Sequence, residues 1–236
     1  MYGQAEVLGK AQEHGTVLLS GIVGSRAYGL SHAGSDVDRL GMFAAPTVAF
    51  FSLAPVSESH VFHDPSDATF HEAGKYLRLL LAANPTAGEL LWLSEYEVQH
   101  PLGTELVSLR SRFLSATSVK GSYLSYAVQQ YKKILAEGSV QAPTERMRKH
   151  ALHMARLINQ GYALYTTGEF TVRVENPDWY REFREASVVT WQSWFEREQV
   201  RFATAKSCLQ GTPDFDAANA WLRKVRYEFL DPAVAM

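Results

Sequence analysis

The chain has 236 residues, of which 46% are hydrophobic and 20% charged, enough to bury a core in one compact domain or two small ones. With 23 Lys and Arg against 25 Asp and Glu the net charge is −2, which excludes a general DNA-coating protein with its large positive excess. No run approaches the roughly 20 apolar residues of a membrane span, residues 1–13 do not read as a signal peptide, and one cysteine, Cys208, excludes an internal disulfide framework. The composition predicts a cytoplasmic globular protein with no membrane partner.

In chain order, residues 4–14 predict a short helix, and Val17–Val23 (Val-Leu-Leu-Ser-Gly-Ile-Val) an apolar strand closed by Gly24-Ser25. Asp36–Ala44 reads as a second strand ended by Pro46, residues 57–66 as a loop, and Asp67–His71 as a third strand. Ala73–Ala83 is strongly helical and stops at Asn84-Pro85, since the residue before proline is pushed out of the helical region. Thr86 with Glu89 forms a capping-box pattern for the next helix. Helices are expected over 118–137, 144–166, 178–208 with a break, and 214–230 with Asp214 as cap; Thr171–Val174 is a short extended piece. The expected architecture is α+β: a small mixed sheet with helices on one face over residues 1–115, then a mostly helical domain over 116–236.

Charge divides along the same seam. Residues 1–115 hold 7 basic and 12 acidic side chains, residues 116–236 hold 16 and 13. Between 120 and 156, Lys120, Lys132, Lys133, Arg146, Arg148, Lys149 and Arg156 face only Glu137 and Glu145. An acidic half beside a basic segment suits a metal site acting on a polyanion, and a solvated helix face is the plainer alternative.

The chemistry concentrates in Gly24-Ser25-Arg26-Ala27-Tyr28-Gly29 followed by Ser35-Asp36-Val37-Asp38. On a strand, Asp36 and Asp38 point to one face, and a pair of hard carboxylate oxygens suits Mg²⁺. A glycine-serine turn after an apolar strand offers backbone N–H groups and close approach to a phosphate. His60, His63 and His71 with Asp64 and Asp67 lack the spacing of a structural zinc site. His150 and His153 share one predicted helix with Arg148, Lys149 and Arg156, and His153 and Arg156 are neighbours on its surface. They face a phosphate or pack between the two halves. The tryptophans at 179, 191, 194 and 221 read as core.

Gly-Ser followed by Ser-Asp-x-Asp resembles the signature of the DNA polymerase β-like nucleotidyltransferase superfamily. The stretches 24–29, 35–43, Asn84-Pro85 with Glu89–Trp92, Lys149–Leu157 and Tyr165–Phe170 are similar to one branch, predicted nucleotidyltransferases of bacteria and phages, some linked to RNA-repair genes. The resemblance implies three carboxylates holding two Mg²⁺ ions, with Mn²⁺ as a substitute, and release of pyrophosphate from an NTP substrate. Asp36 and Asp38 are then the first two ligands, and Asp67 the third ligand or base, with Glu72 and Asp64 as rivals. Gly24, Ser25, Arg26, Lys75, His153 and Arg156 are candidates for holding the nucleotide. The expected activity is transfer of a nucleoside monophosphate to a hydroxyl on an RNA or DNA end, a protein or a small molecule. A protein-nucleotidylating, antitoxin-like enzyme and a non-catalytic nucleotide-binding module are the alternatives.

Overall fold

The computed structural model describes residues 2–64, 66–137 and 142–231. They form two compact units, one of residues 1–81, 86–113 and 213–236, the other of residues 82–85 and 114–212. The fold class is the expected α+β.

In the first unit, α1 (Tyr2–Gln12) leads into β1 (Thr16–Val23), whose apolar, largely buried side chains make it a central strand. A five-residue helix, α2 (Gly24–Tyr28), then turns the chain toward β2 (Asp38–Ala44). Next come β3 (Ser59–Phe62), β4 (Ala68–Glu72), α3 (Ala73–Leu81), α4 (Pro85–Glu89), β5 (Val98–Gln99) and α5 (Pro101–Ser108). The sheet order is β3-β4-β2-β1-β5. Only β2 and β4 run parallel, with Arg39 opposite Ala68 and Phe43 opposite Glu72; β1 with β2, β1 with β5 and β3 with β4 are antiparallel.

The alternation of β2 separates two cores. Leu40, Met42 and Ala44 join Tyr76, Leu77, Leu80, Leu90, Leu106 and Phe113 on the face covered by helices, while Phe43, Ala68 and Phe70 pack with Val7 and Ala11 of α1 on the other. Two strands escaped the sequence reading. The segment 57–66 contains β3, an edge strand with few buried side chains, and β5 is two residues long.

The last helix, α10 (Phe215–Glu228), follows the helical unit in sequence yet completes the first unit's core. Ala217, Ala218, Trp221 and Val225 are buried there, and Trp221 Nε1 donates to the Leu102 carbonyl at 3.0 Å. Sequence alone places this segment in the helical half, because its packing partners lie more than 100 residues away. Asp214 caps α10 as expected, accepting from Ala217 N–H at 2.8 Å and from Arg112 Nη2 at 2.6 Å. The Ala217 N–H, and after it Arg112, hold the Asp214 carboxyl below its ordinary value. A lowered carboxyl pKa stabilises the fold at neutral pH and loses that contribution as pH falls through the folded value. Asp214→Ala is therefore expected to lower Tm at pH 7, and its difference from wild type to shrink as pH falls through the folded value of the carboxyl; thermal unfolding at several pH values checks this.

The second unit is built on α6 (Ala116–Ala136) and α7 (Glu145–Thr167), with α8 (Pro177–Arg184) and α9 (Val188–Thr204). Its core includes Val119, Tyr123, Ile134, Met154, Leu157, Trp191, Phe195 and Phe202. The expected break within 178–208 falls between α8 and α9, where Ser187 caps α9 by accepting from Thr190 N–H at 3.1 Å. Among the described residues no helix is long and apolar enough to cross a membrane.

Candidate active site

The antiparallel pairing of β1 and β2 brings the last residue of one strand, Val23, opposite the first of the other, Asp38. Gly24 follows with φ +70°, and a methyl group there would meet Asp38 Cγ at 3.1 Å and Oδ2 closer still. Glycine is required twice over, for the left-handed backbone and for the carboxylate lying against it. The Gly24-Ser25 turn and the Asp38 carboxylate thus form one continuous surface, with both Ser25 and Asp38 half-buried.

Asp36 lies outside β2, in the loop before it, and is exposed. The shared strand face expected of Asp36 and Asp38 is therefore replaced by a loop placement. Arg26 braces that loop: Nε donates to the Asp36 carbonyl at 3.2 Å and Nη2 to the Ser35 carbonyl at 2.8 Å. The exposed guanidinium links α2 to the residue that supplies the first aspartate.

The parallel register of β2 and β4 sorts the other acidic candidates. Asp67 directly precedes β4, and its carbonyl accepts from Arg39 N–H at 2.9 Å, so it belongs to the same sheet end as Asp38. Adjacent strands lie about 4.8 Å apart there. The exposed Asp67 carboxylate accepts from or is bridged to His63 Nδ1 at 2.8 Å. Glu72 ends β4, five residues beyond Asp67, about 16 Å at about 3.3 Å per residue. It is buried and held by Arg226 Nη1 and Gly74 N–H, each at 2.7 Å, which makes it a structural carboxylate. Lys75 sits at that far end too, 3.6 Å from Glu58, and is not gathered with the turn. Asp64 is exposed, and its backbone carbonyl accepts from Lys10 Nζ at 3.0 Å. His60 stacks on His14 and His71 bonds to Ser59 Oγ, so the histidines of this region go separate ways. Among the described residues, no three His, Cys, Asp or Glu side chains are grouped so as to hold a metal ion.

His153 and Arg156 belong to the helical unit. Arg156 is 2% exposed and donates to Gln160 Oε1 at 2.7 Å, while Gln160 Nε2 donates to the carbonyls of Thr171 and Val172. This buried knot ties the extended piece after α7 to the helix and leaves Arg156 no open face toward a phosphate. Burial, followed by the neighbouring Arg156 and Lys133, pushes the His153 imidazole down to about 3, so it is neutral at physiological pH.

Two supports of the site were missed from sequence. Arg39 forms a largely buried pair with Glu97 at 3.0 Å, and its Nη1 donates to Ser66 Oγ at 2.7 Å. It fastens β2, the approach to β4 and the approach to β5 immediately beside Asp38. The available signal was an arginine within an otherwise apolar strand, which demands a buried acid. Tyr28, the last residue of α2, donates to Glu89 at 2.7 Å, and Glu89 is 1% exposed. Glu89 therefore anchors the phosphate-loop candidate from below, where the sequence had it in a capping box with Thr86.

The arrangement places an oxygen-rich, glycine-lined bend at one end of the sheet, where hard cations and phosphates are the matching ligands. No curated protein matches the chain. Among solved structures it is similar to a nucleotidyltransferase-like protein from Exiguobacterium sibiricum 255-15, at 11% identity over 96% of this chain and 74% of that one, with a TM-score of 0.34. The family model described as RlaP, RNA repair pathway DNA polymerase beta family, matches residues 6–186. Carrying the Gly-Ser turn and its adjoining aspartate inside that match, the chain belongs to the RlaP family of polymerase β-like proteins.

Proposed function

We propose that the protein transfers a nucleoside monophosphate from an NTP to an acceptor hydroxyl. The hydroxyl oxygen forms a bond to the α-phosphorus, the bond to the β-phosphate bridge breaks, and pyrophosphate leaves with the electron pair; the hydroxyl proton passes to a carboxylate or to water. The observation that carries this reading is the Asp38 carboxylate seated against Gly24 at the start of the Gly-Ser turn. Membership of a polymerase β family supports the same reaction class.

Asp36 and Asp38 are the residues that would hold Mg²⁺, or Mn²⁺ in its place, with Asp67 as third ligand or base. The donor set fits in its chemistry, all three being carboxylates with Asp36 and Asp67 exposed and Asp38 half-buried, although the three are not gathered about one point in this structure. Asp67 takes part on release from His63, its partner at 2.8 Å. A divalent cation supplies charge neutralisation at the attacking and leaving oxygens when bound. The chain's own contribution is positioning. The Gly24-Ser25 turn receives the phosphates through backbone N–H groups and the Ser25 hydroxyl, and Arg26 holds the aspartate loop in place while keeping its charge beside the phosphates. Arg39 with Glu97 and Tyr28 with Glu89 keep the turn and the strand ends in register.

The test is incubation with each α-labelled NTP and Mg²⁺ or Mn²⁺, offering RNA, DNA, a protein extract and small hydroxyl compounds. Label transferred to one acceptor class with release of pyrophosphate supports the reading. No transfer to any acceptor with any NTP overturns it.

A further inference from the structure

Among the described residues, the helical unit holds basic side chains that take part in no ion pair. Of the seven basic residues between 120 and 156, several are spoken for. Arg146 Nε lies 3.4 Å from Glu137, Arg148 Nε 3.2 Å from Glu185, Lys120 donates to the Ala203 carbonyl, and Arg156 is buried on Gln160. Glu145, the other acid of the segment, is engaged by Arg184. Lys132, Lys133 and Lys149 are exposed and, among the described residues, take part in no ion pair.

Lys132 and Lys133 diverge by roughly 100° around α6; Lys133 lies three residues after Gln130, on the stripe of α6 that meets His150 of α7. Lys133 from α6 and Lys149 from α7 both act on the same two imidazoles, His150 and His153, and Arg146 acts on His150 as well. His150 Nδ1 meets Gln130 Oε1 at 2.8 Å, fixing the two helices side by side at this point. The one acid facing His150 is Glu137, already bonded to Arg146 and to the Thr144 hydroxyl. Burial and this surrounding charge keep both imidazoles below their ordinary values.

We infer that this face of α6 and α7, where Lys133 and Lys149 converge with Arg146 beside them, binds the phosphate backbone of a single-stranded nucleic acid. A row of phosphates supplies the counter-charges that the protein withholds, and cations spread over two helices match a linear polyanion. A lipid surface would call for large apolar side chains among the cations. Among the described residues of 120–156, Leu135 is the one large apolar side chain exposed. The inference deepens the proposed activity, on which its last step rests: the bound strand is the acceptor.

Binding is measured without NTP, so its outcome is separate from that of the transfer assay. The full chain is titrated into fluorescently labelled single-stranded RNA, and DNA of the same sequence, by anisotropy at several KCl concentrations. Lys133→Gln with Lys149→Gln is expected to weaken binding about tenfold and to reduce the slope of log K against log salt by about 1.4, the loss of two phosphate contacts on a single strand. Lys132→Gln is the control and should remain within about twofold of wild type; circular dichroism reports that the helices are intact. The RNA and DNA arms identify which strand is held. Unchanged binding in the double variant, an equal loss in Lys132→Gln, or capture of phosphatidylserine vesicles in place of either strand overturns the inference.

Discussion

Asp38→Asn is expected to lower nucleotide transfer on the order of 10³-fold, the scale seen when one preorganised charge is removed from a reacting centre. The substitution keeps the shape of the side chain that lies against Gly24 and removes the negative charge that a divalent cation requires. Stability should change little, because Asp38 begins a strand at a half-buried position and its backbone pairing with Val23 is retained. Transfer of labelled nucleotide, followed beside thermal unfolding, separates the two effects. A variant with full transfer would sink the assignment of Asp38 as a metal ligand. One that fails to fold would show instead that the carboxylate braces the Gly24 turn.

Arg226→Ala is expected to cost about 3 to 5 kcal/mol, the range for leaving a buried charge without its partner. Glu72 has a side chain 5% exposed, and Arg226 Nη1 supplies its ion pair at 2.7 Å. Gly74 N–H remains as a single donor after the substitution. Arg226 also stacks its guanidinium over Phe50 at 4.1 Å, so truncation removes packing along with charge. Urea unfolding measures the loss. A companion double variant, Glu72→Gln with Arg226→Met, should recover much of it, since the stranded charge is then gone. A loss under about 1 kcal/mol in Arg226→Ala would mean that Glu72 is solvated, contrary to its burial.

Local signals announced the local parts of this protein. The apolar run before Gly24 fixed a central strand, and the antiparallel return brought Asp38 back to the glycine because both sit at the ends of paired strands. Asp214 as a helix cap and Pro85 as a boundary were readable for the same reason: the physics lies within a few residues. Asp36 was not, since it lies in the loop, one residue short of β2, where Arg26 holds the backbone. The fates of Glu72 and Lys75 depended on a distant partner or on strand register, and that of Arg156 on which side of α7 is buried. Glu72 is paired 154 positions downstream, Lys75 sits at the far end of a parallel strand pair, and Arg156 is turned inward onto Gln160. Alternation and charge patterns cannot register such partners, and the same blindness hid Glu89 beneath Tyr28.

The sheet-bearing unit is assembled from three separate stretches, and its final helix, beyond the matched family segment, contributes Trp221 and Val225 to the core. During synthesis this has an ordering effect. The strands that present Asp38 leave the ribosome early, then wait through roughly 170 further residues before the helix that seals them emerges. The helical unit has all of its own residues available first and can settle while the sheet is still unsealed. Nascent chains arrested before residue 213 should therefore be helical yet sensitive to protease in residues 16–72, and acquire resistance there only once α10 has been made.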